Sequence, residues 1–278
     1  MAHTASPAEP RRGLLDLDGR RIETAWWGLP PESTPTSAPT SASTSAPTLV
    51  LLHEGLGSVS LWRGFPARLA EATGCGVFAY SRFGYGRSDP EPLPWPATYM
   101  HREAQAVLPR VLQAAGTGRH ILLGHSDGGS IAAVNAGSVP ALGLAGLVLF
   151  APHFFVEDEG LASIVAIRAQ YEHGDLRSRL ARHHAHVDNA FGGWNGAWTD
   201  PGFRDWNIME FVPRIAVPML LLQGTADAYG SPEQIRAAAR AARVPAETVL
   251  LDGTGHAPHL ERPAETLSAV APFIRSVL

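Results

Sequence analysis

Lysine is absent: all 22 basic side chains of the 278-residue chain are arginine. That excludes Schiff-base chemistry, a phosphate-loop lysine and pyridoxal-phosphate attachment. Cysteine is nearly absent. Cys75 stands alone, so no intrachain disulfide can form and no oxidising compartment is needed; placed just before a predicted strand, it reads as a buried, inert thiol. No apolar run is long enough to span a bilayer, and Met1 to Pro10 lacks the basic start and apolar core of an export signal. The expectation is a soluble cytoplasmic protein. Charge is sparse, 17% of residues with a net −4, and the arginines are scattered, which argues against a nucleic-acid surface or a polybasic membrane patch. A small-molecule substrate is the expected partner, self-association is left open, and neither cofactor nor metal is expected.

The sequence does contain a regular alternation of apolar runs and helix-like segments. Gly13 to Trp27 reads as two strands around Asp18-Gly19, a dipeptide suited to a tight hairpin turn, after a disordered N-terminus over 1–12. Residues 30–47 are almost all Pro, Ser, Thr and Ala, too poor in large apolar groups to pack, and read as a flexible loop. Thr48 to Leu52, Gly76 to Tyr80, His120 to Leu123, Leu144 to Phe150, Val217 to Leu222 and Glu247 to Leu251 are short apolar strands. Helices are predicted over Leu61 to Thr73, Met100 to Ala115 despite Pro109, Pro232 to Ala242 and Leu267 to Leu278. Strand and helix in turn imply α/β architecture, a mostly parallel sheet covered on both faces.

Between residues 151 and 214 the alternation stops. This segment, rich in His, Trp, Phe and Arg, is expected to be a lid inserted into a core of 13–150 and 215–278. Leu161 to Tyr171 and Leu176 to His186 look helical; the aromatic stretches containing Trp194 and Trp198 look irregular and suit a pocket wall. His183, His184 and His186 have no obvious acidic or cysteine partner and read as part of a solvated helix rather than a metal site. The glycine-rich turn Ser81 to Asp89, lacking a lysine, reads as a structural loop.

The chemistry concentrates after the strands. Gly124-His125-Ser126-Asp127-Gly128 has the Gly-x-Ser-x-Gly spacing of a sharp strand-to-helix turn that lifts one serine hydroxyl clear of the sheet. The small residues beside it leave room for strained backbone. Asp227 lies just past one strand and His256 just past the next, so serine, acid and histidine occur in the order such a site requires. His259 and Asp252 are the rival base and acid. The His53-Glu54-Gly55-Leu56-Gly57 loop, after an early strand, is placed to supply a second amide donor.

Through the Gly-His-Ser-Asp-Gly turn, the Gly-Thr-Ala-Asp turn and the Gly-Thr-Gly-His-Ala-Pro-His loop, Leu49 to Leu278 resembles the α/β-hydrolase fold family. The branch it is most similar to is the lidded one of esterases, carbon-carbon hydrolases and perhydrolases. The resemblance implies an inserted helical lid on an α/β-hydrolase core. It implies a carboxylic-ester-hydrolase-like enzyme in which Ser126, His256 and Asp227 form a triad that passes through an acyl-enzyme. The amides of Asp127 and Gly55, with Leu56 as second choice, would receive the oxyanion, and His53, Trp194 and Trp198 are expected against substrate. An ester, thioester or carbon-carbon bond of a small apolar or aromatic substrate is the expected target. Cofactor-free perhydrolysis or a non-catalytic receptor role are the alternatives. Relatives have glycine directly after the loop histidine; Glu54 stands there in this chain. Asp127 is read as a helix N-terminal acid favoured by the dipole.

Overall fold

The computed structural model describes residues 9–28, 47–140 and 142–278. Eight strands form one sheet in the order β1-β2-β4-β3-β5-β6-β7-β8. In chain order these are β1 Arg11–Leu17, β2 Arg20–Trp27, β3 Thr48–Leu52, β4 Gly76–Tyr80, β5 His120–His125, β6 Leu144–Phe150, β7 Met219–Gly224 and β8 Ala246–Leu251. The first two are an antiparallel hairpin, turning at Asp18 and Gly19, both with positive φ, as the Asp-Gly dipeptide favours. β2 pairs antiparallel with β4, and from β4 to β8 every pairing is parallel. The expectation that 1–12 is disordered is corrected at its end, where Arg11 and Arg12 pair with Trp26 and Ala25; residues 1–8, and the loop expected over 30–47 except Pro47, lie outside the described residues.

The helices are α1 Phe65–Thr73, α2 Tyr99–Arg102, α3 Leu108–Ala115, α4 Asp127–Ser138, α5 Asp158–His173, α6 Leu176–Leu180, α7 Val187–Trp198, α8 Glu233–Ala241, α9 Pro258–Glu261 and α10 Pro263–Val277. None of them is long and apolar enough to cross a membrane. Side chains alternate across the central strands, so the sheet carries two cores. Val50, Leu52, Leu122, Leu147 and Leu221 face one, with α4 and the inserted segment. Leu49, Leu51, Leu123, Val148 and Leu222 face the other, beneath Phe65 and Leu69 of α1 and Phe273 and Ile274 of α10.

Three helical expectations are revised by local chemistry. The helix expected over Leu61 to Thr73 is broken at Arg63, whose positive φ separates a short turn at Val59–Trp62 from α1. Between α2 and α3 the helix widens into a π-turn at Glu103–Val107. Pro109, which has no N–H and would crowd the preceding carbonyls, then falls at the start of α3 where neither matters. The stretch around Trp194, expected to be irregular, is the middle of α7. A Cβ on Gly193 would stand 2.2 Å from the Trp95 ring, so that glycine serves close packing rather than a turn.

Parallel strands bring their following loops to one rim, and the tightest of these follows β5. Ser126 has φ 52° and ψ −120°, and its carbonyl accepts from the amides of Gly129 and Ser130 at 2.8 and 3.0 Å to open α4. A Cβ on Gly124 would lie 2.2 Å from the Gly128 carbonyl oxygen, and one on Gly128 would lie 1.9 Å from that of Leu52. Backbone meets backbone at this corner, leaving no flexible atom to yield. Gly128→Ala should therefore cost on the order of 3 kcal/mol, read as a lowered urea midpoint; an unchanged midpoint would show that the corner is looser than described.

Candidate active site

Ser126 at the corner after β5, Glu54, Gly55 and Leu56 after β3, His153 after β6, Tyr229 after β7 and His256 after β8 line one cavity of about 130 Å³, closed by Ile164, Ile167, Trp194 and Trp198 of the inserted segment. The site therefore draws on loops more than two hundred residues apart.

His256 Nδ1 lies 2.8 Å from Asp227 Oδ2. A carboxylate only accepts, so Nδ1 carries a proton, and the tautomer this fixes for the neutral ring has its lone pair on Nε2. The Asp227 side chain is only 1% exposed and the ring 19%. Asp227 is held from its other sides as well: Oδ2 also accepts from Gln223 Nε2 at 2.7 Å and Oδ1 from the Tyr229 amide at 2.8 Å. Burial by itself would raise its pKa, but the His256 hydrogen bond and charge, with the Tyr229 amide, outweigh burial and leave it below the usual carboxylate value. The Ser126 hydroxyl and this ring face the same cavity.

The rivals are placed elsewhere. Asp252 accepts from the Thr225 hydroxyl at 3.0 Å. His259 is buried against Trp62, Phe65 and Phe150.

Around Ser126 the amide donors expected from the sequence are available. Asp127 begins α4, where the first amides have no acceptor within the helix. Among the described residues neither the Gly55 nor the Leu56 amide donates to a backbone or side-chain acceptor. A Cβ on Gly55 would fall 2.0 Å from Trp194 Nε1, so only glycine fits between the loop and that indole.

Three side chains depart from expectation. His53 was expected against substrate, but it is fully buried beneath the loop. Its Nδ1 donates to the Glu54 carbonyl at 2.7 Å and its Nε2 accepts from the Arg82 amide at 3.0 Å, so both nitrogens are used in holding backbone. Burial first, and Arg82 second, keep it neutral. Asp127 does stand in the first turn of α4, as read from the sequence, but it has more partners than the helix dipole. It is buried, accepts from Tyr99 Oη and, at 3.3 Å, from Trp198 Nε1, and lies 3.8 Å from Arg82 Nη2. Burial raises its pKa against the pull of Arg82, Tyr99 and Trp198. The expected solvated helix through His186 also fails, because α6 ends at Leu180 and His184 is buried. His184 accepts from the Gly86 amide at 3.0 Å and its Nε2 donates to the Leu56 carbonyl at 3.0 Å.

His153, Tyr229 and Glu54 are site residues that were not singled out as such from the sequence. The first two follow strands β6 and β7 on the same rim, which was the available signal. His153 stacks edge-on to Trp198 with centroids 5.1 Å apart. Burial and then the neighbouring His256 push its pKa down to about 3, so it stays uncharged.

A profile of the alpha/beta hydrolase family matches residues 49–269, and a search of curated proteins finds no match by sequence. Among solved structures the chain is similar to a membrane phospholipase A described as a bacterial virulence factor, at 21% identity and TM-score 0.74, covering 96% of this chain and 86% of that one. It is similar to a thermophilic esterase from Thermogutta terrifontis, at 21% identity and TM-score 0.66, over 97% and 99%. It is also similar to naproxen esterase from Bacillus subtilis, at 19% identity and TM-score 0.67, over 96% and 92%. At these identities the likeness establishes the fold.

The lowered Asp227 pKa carries a pH signature. Its stabilising contribution is complete above the unfolded-chain carboxylate pKa of about 4 and is lost as pH falls through the lower folded value. Asp227→Asn should melt below the wild type at neutral pH, and the gap should narrow as pH falls below the unfolded carboxylate pKa. A gap that stays constant with pH would show that the carboxylate gains nothing from its partners.

Proposed function

The chain belongs to the alpha/beta hydrolase family, and we propose that it is a serine hydrolase that cleaves a small apolar or aromatic ester through an acyl-enzyme on Ser126. The observation that carries this reading is the His256–Asp227 bond of 2.8 Å, which turns a lone pair towards a cavity that a strained serine also enters. His256 Nε2 takes the Ser126 proton as the hydroxyl attacks the ester carbonyl, then returns it to the leaving alcohol. Asp227 keeps the ring in the required tautomer and stabilises the cation it becomes. Water, activated by the same nitrogen, attacks the acyl-serine and releases the acid.

Charge developing on the carbonyl oxygen is received by the Asp127 amide at the start of α4 and by the amide of Gly55 or Leu56. Each such donor is worth about 3 kcal/mol in the transition state. Substrate size follows from the cavity: about 130 Å³ between Ile164, Ile167, Trp194, Trp198 and Tyr229 suits a short acyl chain or a single ring. The helical insertion acts in this reading as a lid whose tryptophans shape the acyl side. No step calls for a cofactor or a metal.

Purified protein should hydrolyse p-nitrophenyl esters of short acids and lose that activity as the acyl chain outgrows the cavity. Ser126→Ala should reduce turnover on the order of 10⁴-fold or more, with the melting temperature retained, and should abolish fluorophosphonate labelling. Undiminished turnover in this variant would move the nucleophile elsewhere.

A further inference from the structure

The reading of the site leaves one pair unexplained, the buried His125 and the partly exposed Glu54, which lines the cavity. His125 precedes the proposed nucleophile, and its side chain is 3% exposed. Its Nε2 stands 2.7 Å from the carbonyl oxygen of His256. A carbonyl can only accept, so Nε2 carries a proton. In a neutral ring Nδ1 would then be a bare lone pair. Nδ1 is buried without a hydrogen-bond partner and faces Glu54 Oε2 at 3.4 Å. Two acceptors so opposed repel, and the buried Nδ1 goes unsatisfied. A proton on Nδ1 converts the same geometry into an imidazolium beside a carboxylate.

Resting on the serine-hydrolase reading, we propose that Glu54 is a positioning residue: it keeps a proton on His125 Nδ1, and through that ring it ties the Gly55 loop to the backbone of His256.

The surroundings favour one cation at this place. The His256 ring lies 5.1 Å from His125 and the His259 ring 4.8 Å, centroid to centroid, with the Trp62 ring edge 6.5 Å away. His259 is driven strongly towards the neutral form by burial, with His125 the next cause. His153 is neutral as well, with His125 among the causes. Burial would raise the Glu54 pKa, but the adjacent His125 ring outweighs burial and holds Glu54 below the usual carboxylate range. The carboxylate therefore remains an anion that can keep the second proton on the ring.

The loop is built around that carboxylate. The Glu54 carbonyl accepts from His53 Nδ1 at 2.7 Å, Arg82 Nη2 at 3.1 Å and the Gly57 amide at 3.1 Å, so the root of the side chain is fixed. A Cβ on Gly57 would lie 2.4 Å from Glu54 Oε2, so residue 57 must be glycine for the carboxylate to lie as it does. Fixed backbone at one end and a hydrogen-bonded ring at the other join the amide that would receive the oxyanion to the segment that carries the base. Neither half can shift without the other. Gln at 54 would preserve the link in a different proton state, its amide donating to a bare Nδ1; Ala would break it.

The test uses the full chain with ¹⁵N-labelled histidine. At neutral pH the wild type should show both His125 nitrogens protonated, and Glu54→Gln should show Nε2 alone protonated. The rate of fluorophosphonate labelling at Ser126, extrapolated to saturating reagent, should fall about tenfold or more in Glu54→Ala, as expected for a displaced reacting group. The half-saturating concentration should change less than about twofold and Glu54→Gln should recover most of the rate. A bare Nδ1 in the wild type, a wild-type rate in Glu54→Ala, or equal loss in both variants would overturn the proposal. A wild type that is not labelled at all would instead sink the hydrolase reading, and the ring spectrum would still decide where the proton lies. Should Glu54→Ala fail to fold, the near-isosteric Glu54→Gln spectrum carries the same decision.

Discussion

The backbone of Ser126 is the constraint on which the remainder of the site depends. An L-residue at φ 52° and ψ −120° is strained, at a cost on the order of 1 to 3 kcal/mol, and persists only where its surroundings over-determine it. Here they do. The serine amide is held by the Phe150 carbonyl at 2.8 Å, and its own carbonyl starts α4. Gly124 and Gly128 close the corner with no space for a methyl group. That closure lets α4 approach β3 closely enough to put the Asp127 amide, the serine hydroxyl and the loop after β3 around one cavity.

The inserted segment is fastened to the same corner by polar contacts rather than by packing alone. Asp127 takes hydrogen bonds from Tyr99 of α2 and Trp198 of α7, and Trp198 Nε1 also lies 3.0 Å from Tyr99 Oη. His184 joins the Gly86 turn to the Leu56 carbonyl. A buried carboxylate without such partners would be costly, so the side chain that follows the serine specifies where the cavity's tryptophan wall must sit. Cavity shape and amide geometry are thus set by one connected network, not by separate elements.

What could be read from the sequence was whatever local pattern determines. Apolar runs such as Leu147 to Phe150 declare a strand by themselves, and Asp18-Gly19 declares its own turn. The order of Ser126, Asp227 and His256, each just after a strand, followed from those local assignments, and the structure brings the last two into contact at 2.8 Å. Residues whose role depends on distant partners were not legible. The stretch around Trp194 looks irregular, although Gly193 lies within α7 with Trp95 filling the space beside it. His53 looks available to substrate and His184 looks solvated until their nitrogens are seen holding backbone. Asp127 reads as a helix N-terminal acid, with no local sign that Tyr99, Trp198 and Arg82 converge on it. In each case long-range packing overrode a sound local reading.

The central claim is that a hydroxyl, a pair of amides and an oriented ring act together on one carbonyl. A crystal structure of the protein after reaction with a small alkyl fluorophosphonate tests it most directly. The account requires phosphorus bonded to Ser126 Oγ, and its oxygen within about 3 Å of the Asp127 amide and of the Gly55 or Leu56 amide. Modification at another side chain, or a phosphonyl oxygen turned away from both amides while His256 still holds Asp227, would contradict it.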